Sequence, residues 1–175
     1  FVLNNNQYPA DIFSKWTKAE KEAIGIYEIE TDSSNKKDDK WYINTNESYT
    51  FANNKVTRSW GTATAKAHAD TLWTEEDKTD GLIPEGEDVG DIATRGLKYN
   101  LIQEIKKQAA GILADTDWYI VRKADAGTAV PSSITTHRAA VRTKAAEMET
   151  AITNASDTPA LETLYTYTEQ EDGSV

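Results

Sequence analysis

The apolar positions of this chain change period part-way along it. Through the first sixty residues they come in short runs or alternate with polar ones, the pattern of strands. Thr17-Lys18-Ala19-Glu20 fits a capping box, in which the Thr hydroxyl and the Glu carboxylate satisfy each other's neighbouring backbone N–H groups. The helix it opens is expected to end at Gly25, the residue best suited to a left-handed cap. Residues 26–30 (Ile-Tyr-Glu-Ile-Glu) alternate apolar and polar, as a half-wet strand does. Residues 31–40 are polar and read as a solvated loop. Trp41-Tyr42-Ile43 reads as a strand. Tyr49-Thr50-Phe51 and residues 56–60 read as two more, joined across Asn53-Asn54, because Asn tolerates a positive φ.

Residues 61–90 break this pattern. The segment 62–72 is rich in Ala and Thr and is expected to hold a short helix. Residues 74–90 mix Gly81, Pro84, Gly86 and Gly90 with seven acids and read as an acidic loop or linker. From Asp91 the period becomes helical. Ile92, Leu97, Leu101, Ile105 and Ile112 make one stripe, with Ile102, Ala109 and Leu113 widening it, and the helix is expected to stop at Ala114-Asp115. Trp118 to Val121 form a short apolar segment, and Gly127 and Pro131 interrupt regular structure after it. A second long helix, opened by Ser132 and Ser133, runs to about Ile152. Its stripe of Ile134, Val141, Ala145, Met148 and Ile152 is nearly a heptad seam. Asp157-Thr158-Pro159 opens one more turn, and residues 169–175 read as a polar, frayed end.

The resulting expectation is an α+β chain: a small N-terminal antiparallel β meander with a short helix (1–60), an acidic linker (61–90), a C-terminal helical hairpin (91–155), and a terminal turn and tail (156–175). Composition narrows what such a chain does. Its 175 residues carry 19 Lys and Arg against 29 Asp and Glu, a net charge of −10 that repels phosphate backbones and argues against nucleic acid as a partner. Mean hydropathy is −0.65, and no apolar run approaches the ~20 residues of a membrane span, so no membrane partner is expected. Cysteine is absent, which excludes disulfides, thiol catalysis and cysteine-based zinc sites.

Candidate chemistry is sparse. His68 and His137 have no second His at metal-ligand spacing. Neither a G-x-S-x-G elbow nor a phosphate-cradling glycine loop occurs. Residues 76–87 align with a calcium loop at Gly81 and Glu87, but Lys78 and Pro84 fall where ligands belong, so the segment reads as solvated acid instead. No cofactor, metal or catalytic residue is therefore expected, and an enzyme is not. The informative stretch joins the two long helices. Trp118 is placed to lie over the groove between them and close the end of their core. Arg138 and Arg142 are i,i+4 neighbours, placed to reach Asp115 or Asp117 if the helices fold back antiparallel.

Ile112, Leu113, Thr116, Asp117 and Trp118, followed by a polar linker with Pro131 and then Arg138, Val141 and Arg142, resemble the C-terminal region of bacteriophage tail assembly chaperones and tail fibre assembly proteins. The likeness covers about residues 91–150, with His137 where that family usually has Tyr. It implies a non-catalytic phage protein, in the virion tail or in the host cytoplasm during assembly, that binds tail or tail fibre subunits. The partner-binding residues expected are Trp118, Asp117, Arg138, Arg142 and Val141 from that stretch, with Met148 added from the seam. A narrow stripe on a two-helix unit buries too little to stand alone, so a homo-oligomer is also expected, a trimer by analogy with phage fibres. The rival expectation is a small glycan-binding module in which Trp41, Tyr42, Tyr49 and Trp60 stack on sugar.

Overall fold

The Thr17 hydroxyl accepts from the Glu20 N–H, and the Glu20 carboxylate accepts from the Thr17 N–H at 2.8 Å, so the capping box forms as the sequence predicts. In this computed structural model residues 1–166 are described, and the chain divides into two compact units, Phe1–Thr64 and Ala65–Val175. The fold is mixed α+β, 44% helical and 16% strand. The predicted frayed end at 169–175 lies outside the described residues.

The first unit opens with β1 (Val2–Leu3) and β2 (Asn6–Gln7), paired antiparallel, then α1 (Ile12–Lys15) and α2 (Lys18–Ala23). After α2, Gly25 takes φ +86° while the Ile26 N–H returns to the Lys21 carbonyl, a stop in which only glycine avoids a Cβ penalty. Next come β3 (Ile29–Thr31), β4 (Tyr42–Ile43), β5 (Ser48–Ala52) and β6 (Lys55–Ser59). The hairpin β5–β6 turns at Asn53 and Asn54, both at positive φ, 53° and 56°. The sheet order is β3-β6-β5, and β3 runs parallel to β6. The sheet is therefore not a simple meander: some two dozen residues separate the two strands, enough for the crossover a parallel pair needs. Ile12, Trp41, Tyr42 and Trp60 are buried, and the Arg58 guanidinium lies 4.7 Å from the Trp60 ring centre.

The second unit corrects several expectations. Residues 62–72 hold no helix: β7 (Thr64–Ala65) lies at the unit boundary and β8 (Thr71–Leu72) pairs antiparallel with β9 (Ile92–Thr94). The helical stripe therefore does not begin at Asp91. Ile92 is a strand residue, because the Trp73 N–H donates to the Asp91 carbonyl and the Gly90 N–H to the Trp73 carbonyl, closing a two-stranded ribbon. The segment read as loop also contains α3 (Glu75–Thr79), opened by a second capping box, Thr74 with Asp77. Lys78 there pairs with Asp88, and the Trp73 indole donates to Glu87.

Helix α4 (Leu97–Ala114) starts at Gly96, where a Cβ would fall 2.3 Å from the Ala69 backbone. That contact excludes any side chain at this position. Asp70 accepts from the Gly96 N–H at 2.8 Å and pairs with Arg95 at 2.7 Å. The Gly96 N–H first, then Arg95, hold the Asp70 carboxyl below its usual range. Then come α5 (Asp117–Ala126), α6 (Ser132–Asn154) and α7 (Thr158–Leu164). Trp118–Val121, read as a separate apolar segment, is the first turn of α5. The Lys98 ammonium reaches the Thr153 carbonyl, Lys106 reaches Glu149, and Arg138 reaches the Leu113 carbonyl. Rising numbers on α4 meet falling ones on α6, so the two run antiparallel as predicted, with α5 inserted between them in sequence. Leu101, Ile105, Ile152 and Leu161 are buried, and the Thr158 hydroxyl donates to the Lys66 carbonyl at 2.6 Å.

Candidate functional site

The junction of α4, α5 and α6 is built around one cation. The stripe on α6 skips from Ile134 to Val141, and the seam position it skips is Arg138. A heptad seam written 134, 138, 141, 145, 148, 152 runs at steps of four and three, so residue 138 must face α4. Arg138 is 6% exposed. One guanidinium nitrogen donates to the Leu113 carbonyl at 2.8 Å and to the Thr116 hydroxyl at 2.6 Å, and the other pairs with Asp117 at 2.8 Å. Leu113 is at the C-terminal, electronegative end of α4, and Asp117 is in the first turn of α5, so the charges also suit the helix dipoles. The Thr116 hydroxyl donates in turn to the Leu113 carbonyl at 2.9 Å. Arg138 is thus a structural clamp on the α4–α5 corner, and as a buried residue it offers no surface to a partner.

The other predicted site residues disperse. Arg142 is exposed, since a further step of four carries it off the seam. Asp117 is 58% exposed at its side chain but held by Arg138. Trp118 does not close the core: it is 52% exposed, its ring centre 4.0 Å from that of Tyr119 and 4.6 Å from the Arg122 guanidinium. The reason is that α5 starts at Asp117, which turns the indole onto the helix's outer face. Ile120 and Val121 beside it are also exposed, 43% and 65%.

Val141 and Met148 come together. With Ile105, Ala109, Ile112 and Ala145 they line an open groove of about 470 Å³ between α4 and α6, with Lys144 as its charged member. Ile112, on the rim, is 49% exposed. The groove exists because α6 presents Ala140 and Ala145 where a larger side chain would fill the space against α4. Sequence reasoning placed Val141 and Met148 in the seam but not at a groove; the signal was the alanines interleaved with the stripe. Among the described residues no group of three or more His, Asp or Glu is placed to hold a metal ion. The N-terminal aromatics do not assemble a sugar platform: Trp41, Tyr42 and Trp60 are 3%, 4% and 8% exposed, and Tyr49 alone of the four is open, at 55%. Among the described residues no helix is long and apolar enough to cross a membrane. No match to this chain is found among protein families, curated proteins or solved structures.

Proposed function

We propose that this chain is a non-catalytic protein of the bacteriophage tail region, a fixed component or an assembly factor, that binds a tail or tail fibre subunit through its helical unit. The observation that carries the reading is the open apolar groove between α4 and α6, with Ile112 half exposed at its rim. Unfilled apolar surface between two helices is the form in which an amphipathic helix is received, its i, i+3, i+4 and i+7 side chains taking the place of a third seam. The resemblance of about residues 91–150 to tail assembly proteins supplies the phage context. Arg138 enters this reading as the clamp that holds the groove's walls, and Val141 and Met148 as its floor.

The test uses the full-length chain in infected cells, with a photo-crosslinking residue at position 112 and, separately, at 140. Adducts with one tail or fibre protein, lost in Ala145→Glu while the circular dichroism spectrum is kept, support the proposal. Adducts spread over unrelated host proteins, or unchanged in Ala145→Glu, overturn it.

A further inference from the structure

The three-stranded sheet of the first unit has two edges of unlike character. The β3 edge is three residues long, carries Glu30, and is flanked by Glu28 and Asp32, charges that discourage another strand from adding. The β5 edge, Ser48-Tyr49-Thr50-Phe51-Ala52, is five exposed residues with neither a charge nor a proline, and the carboxylate that flanks it, Glu47, is paired with Arg58 and accepts from the Tyr49 hydroxyl. Because the two-residue turn makes Ala52 and Lys55 a hydrogen-bonded pair, pairing alternates along the hairpin, and Thr50 bonds to Thr57. Tyr49 and Phe51 therefore aim their backbone N–H and C=O groups away from β6. Among the described residues nothing bonds those four groups.

We propose that β5 is a self-association edge, pairing antiparallel with β5 of a second copy about a dyad at Thr50. The strand is symmetric about that residue: aromatic rings stand on either side of it and the small Ser48 and Ala52 beyond them. On the dyad, Tyr49 lies opposite Phe51 of the second copy, and Ser48 opposite Ala52. All four outward groups of each strand are then used, in four intermolecular hydrogen bonds. A dyad moved to Tyr49 or to Phe51 makes half as many within the strand. The rings meet on one face, in the rows Ile29–Val56–Phe51 and Thr31–Arg58–Tyr49, with the Tyr27 ring 4.6 Å from that of Phe51. Phe51 and Tyr49 are 57% and 55% exposed, and self-pairing extends their face across the dyad. An isologous pair closes at two copies, so this edge yields dimers and not a ring.

The chain has no cysteine, which allows a direct test. On the dyad the two Thr50 residues form a non-hydrogen-bonded pair with Cα atoms about 4.5 Å apart, within disulfide range. Full-length Thr50→Cys is expected to run as a covalent dimer after mild oxidation with oxidised glutathione, and Thr31→Cys, on the other edge, to stay monomeric. In sedimentation velocity the wild type should dimerise at tens of micromolar. Thr50→Lys, which sets two ammoniums face to face, should weaken this at least ten-fold with the circular dichroism spectrum kept. Mixing it with Thr50→Glu should restore the dimer. A wild type that is monomeric or trimeric throughout that range overturns the proposal. So does a dimer that neither the charges introduced at residue 50 nor the Thr50 cysteine registers.

Discussion

Replacing Arg138 separates what the clamp contributes from what its charge contributes. Arg138→Ala removes three contacts at 2.6–2.8 Å from a residue only 6% exposed. The ion pair is the smaller part: Asp117 is 58% exposed, so losing its partner leaves no stranded buried charge, and the pair is worth at most about 1 kcal/mol. The hydrogen bonds to Leu113 and Thr116 are made inside the corner by a charged donor, and together are worth about 1–3 kcal/mol. The carbonyl keeps the Thr116 N–H and hydroxyl as donors, which holds the figure toward the middle of that range. Loss of the packed aliphatic stem adds about 1 kcal/mol, for a total of about 2–4 kcal/mol. Arg138→Met keeps the stem and should cost about 1–3 kcal/mol; Arg142→Ala, on an exposed residue, should cost under about 0.5 kcal/mol. The assay is urea unfolding followed by far-ultraviolet circular dichroism, which reports chiefly on α4, α5 and α6. A loss below about 1 kcal/mol for Arg138→Ala, or equal losses at 138 and 142, would refute the clamp.

Trp118→Ala should cost under about 1 kcal/mol in the same melt, since half of the indole is already in water; a buried ring would cost about 3–5 kcal/mol. Asp70 makes stability depend on acid pH. Its carboxyl is held below the usual range in the folded state, so its contribution is complete above the unfolded value of about 3.9 and is lost as pH falls through the lower folded value. Asp70→Asn should therefore be less stable than wild type at neutral pH, with the difference narrowing only below about pH 4; a difference independent of pH down to the acid transition would contradict the assignment.

Several local features were legible in the residues themselves because the groups concerned are neighbours in the chain. The Thr17–Glu20 box, the Gly25 stop and the Asn53-Asn54 hairpin depend on backbone geometry over four or five residues, and each forms as read. The Thr74–Asp77 box had the same kind of signal, hidden in a segment whose glycines and acids suggested loop. The α6 seam was also legible, including its gap at residue 138.

What the sequence could not decide was direction in space. The seam sets Arg138 apart from Arg142, one turn on, but what Arg138 meets there was set only by the antiparallel approach of α4, which brings the Leu113 carbonyl and the Thr116 hydroxyl within its reach. Ile92 continues the stripe of α4 perfectly well, yet the pairing of 92–94 with 71–72, and the approach of Ala69 to within reach of Gly96, make it a strand residue. Trp118 is as suited to a core as to a surface; the helix start at Asp117 turned it outward. Period and caps are local properties of a chain, whereas the side of an element that meets a neighbour is chosen by contacts between residues far apart in sequence.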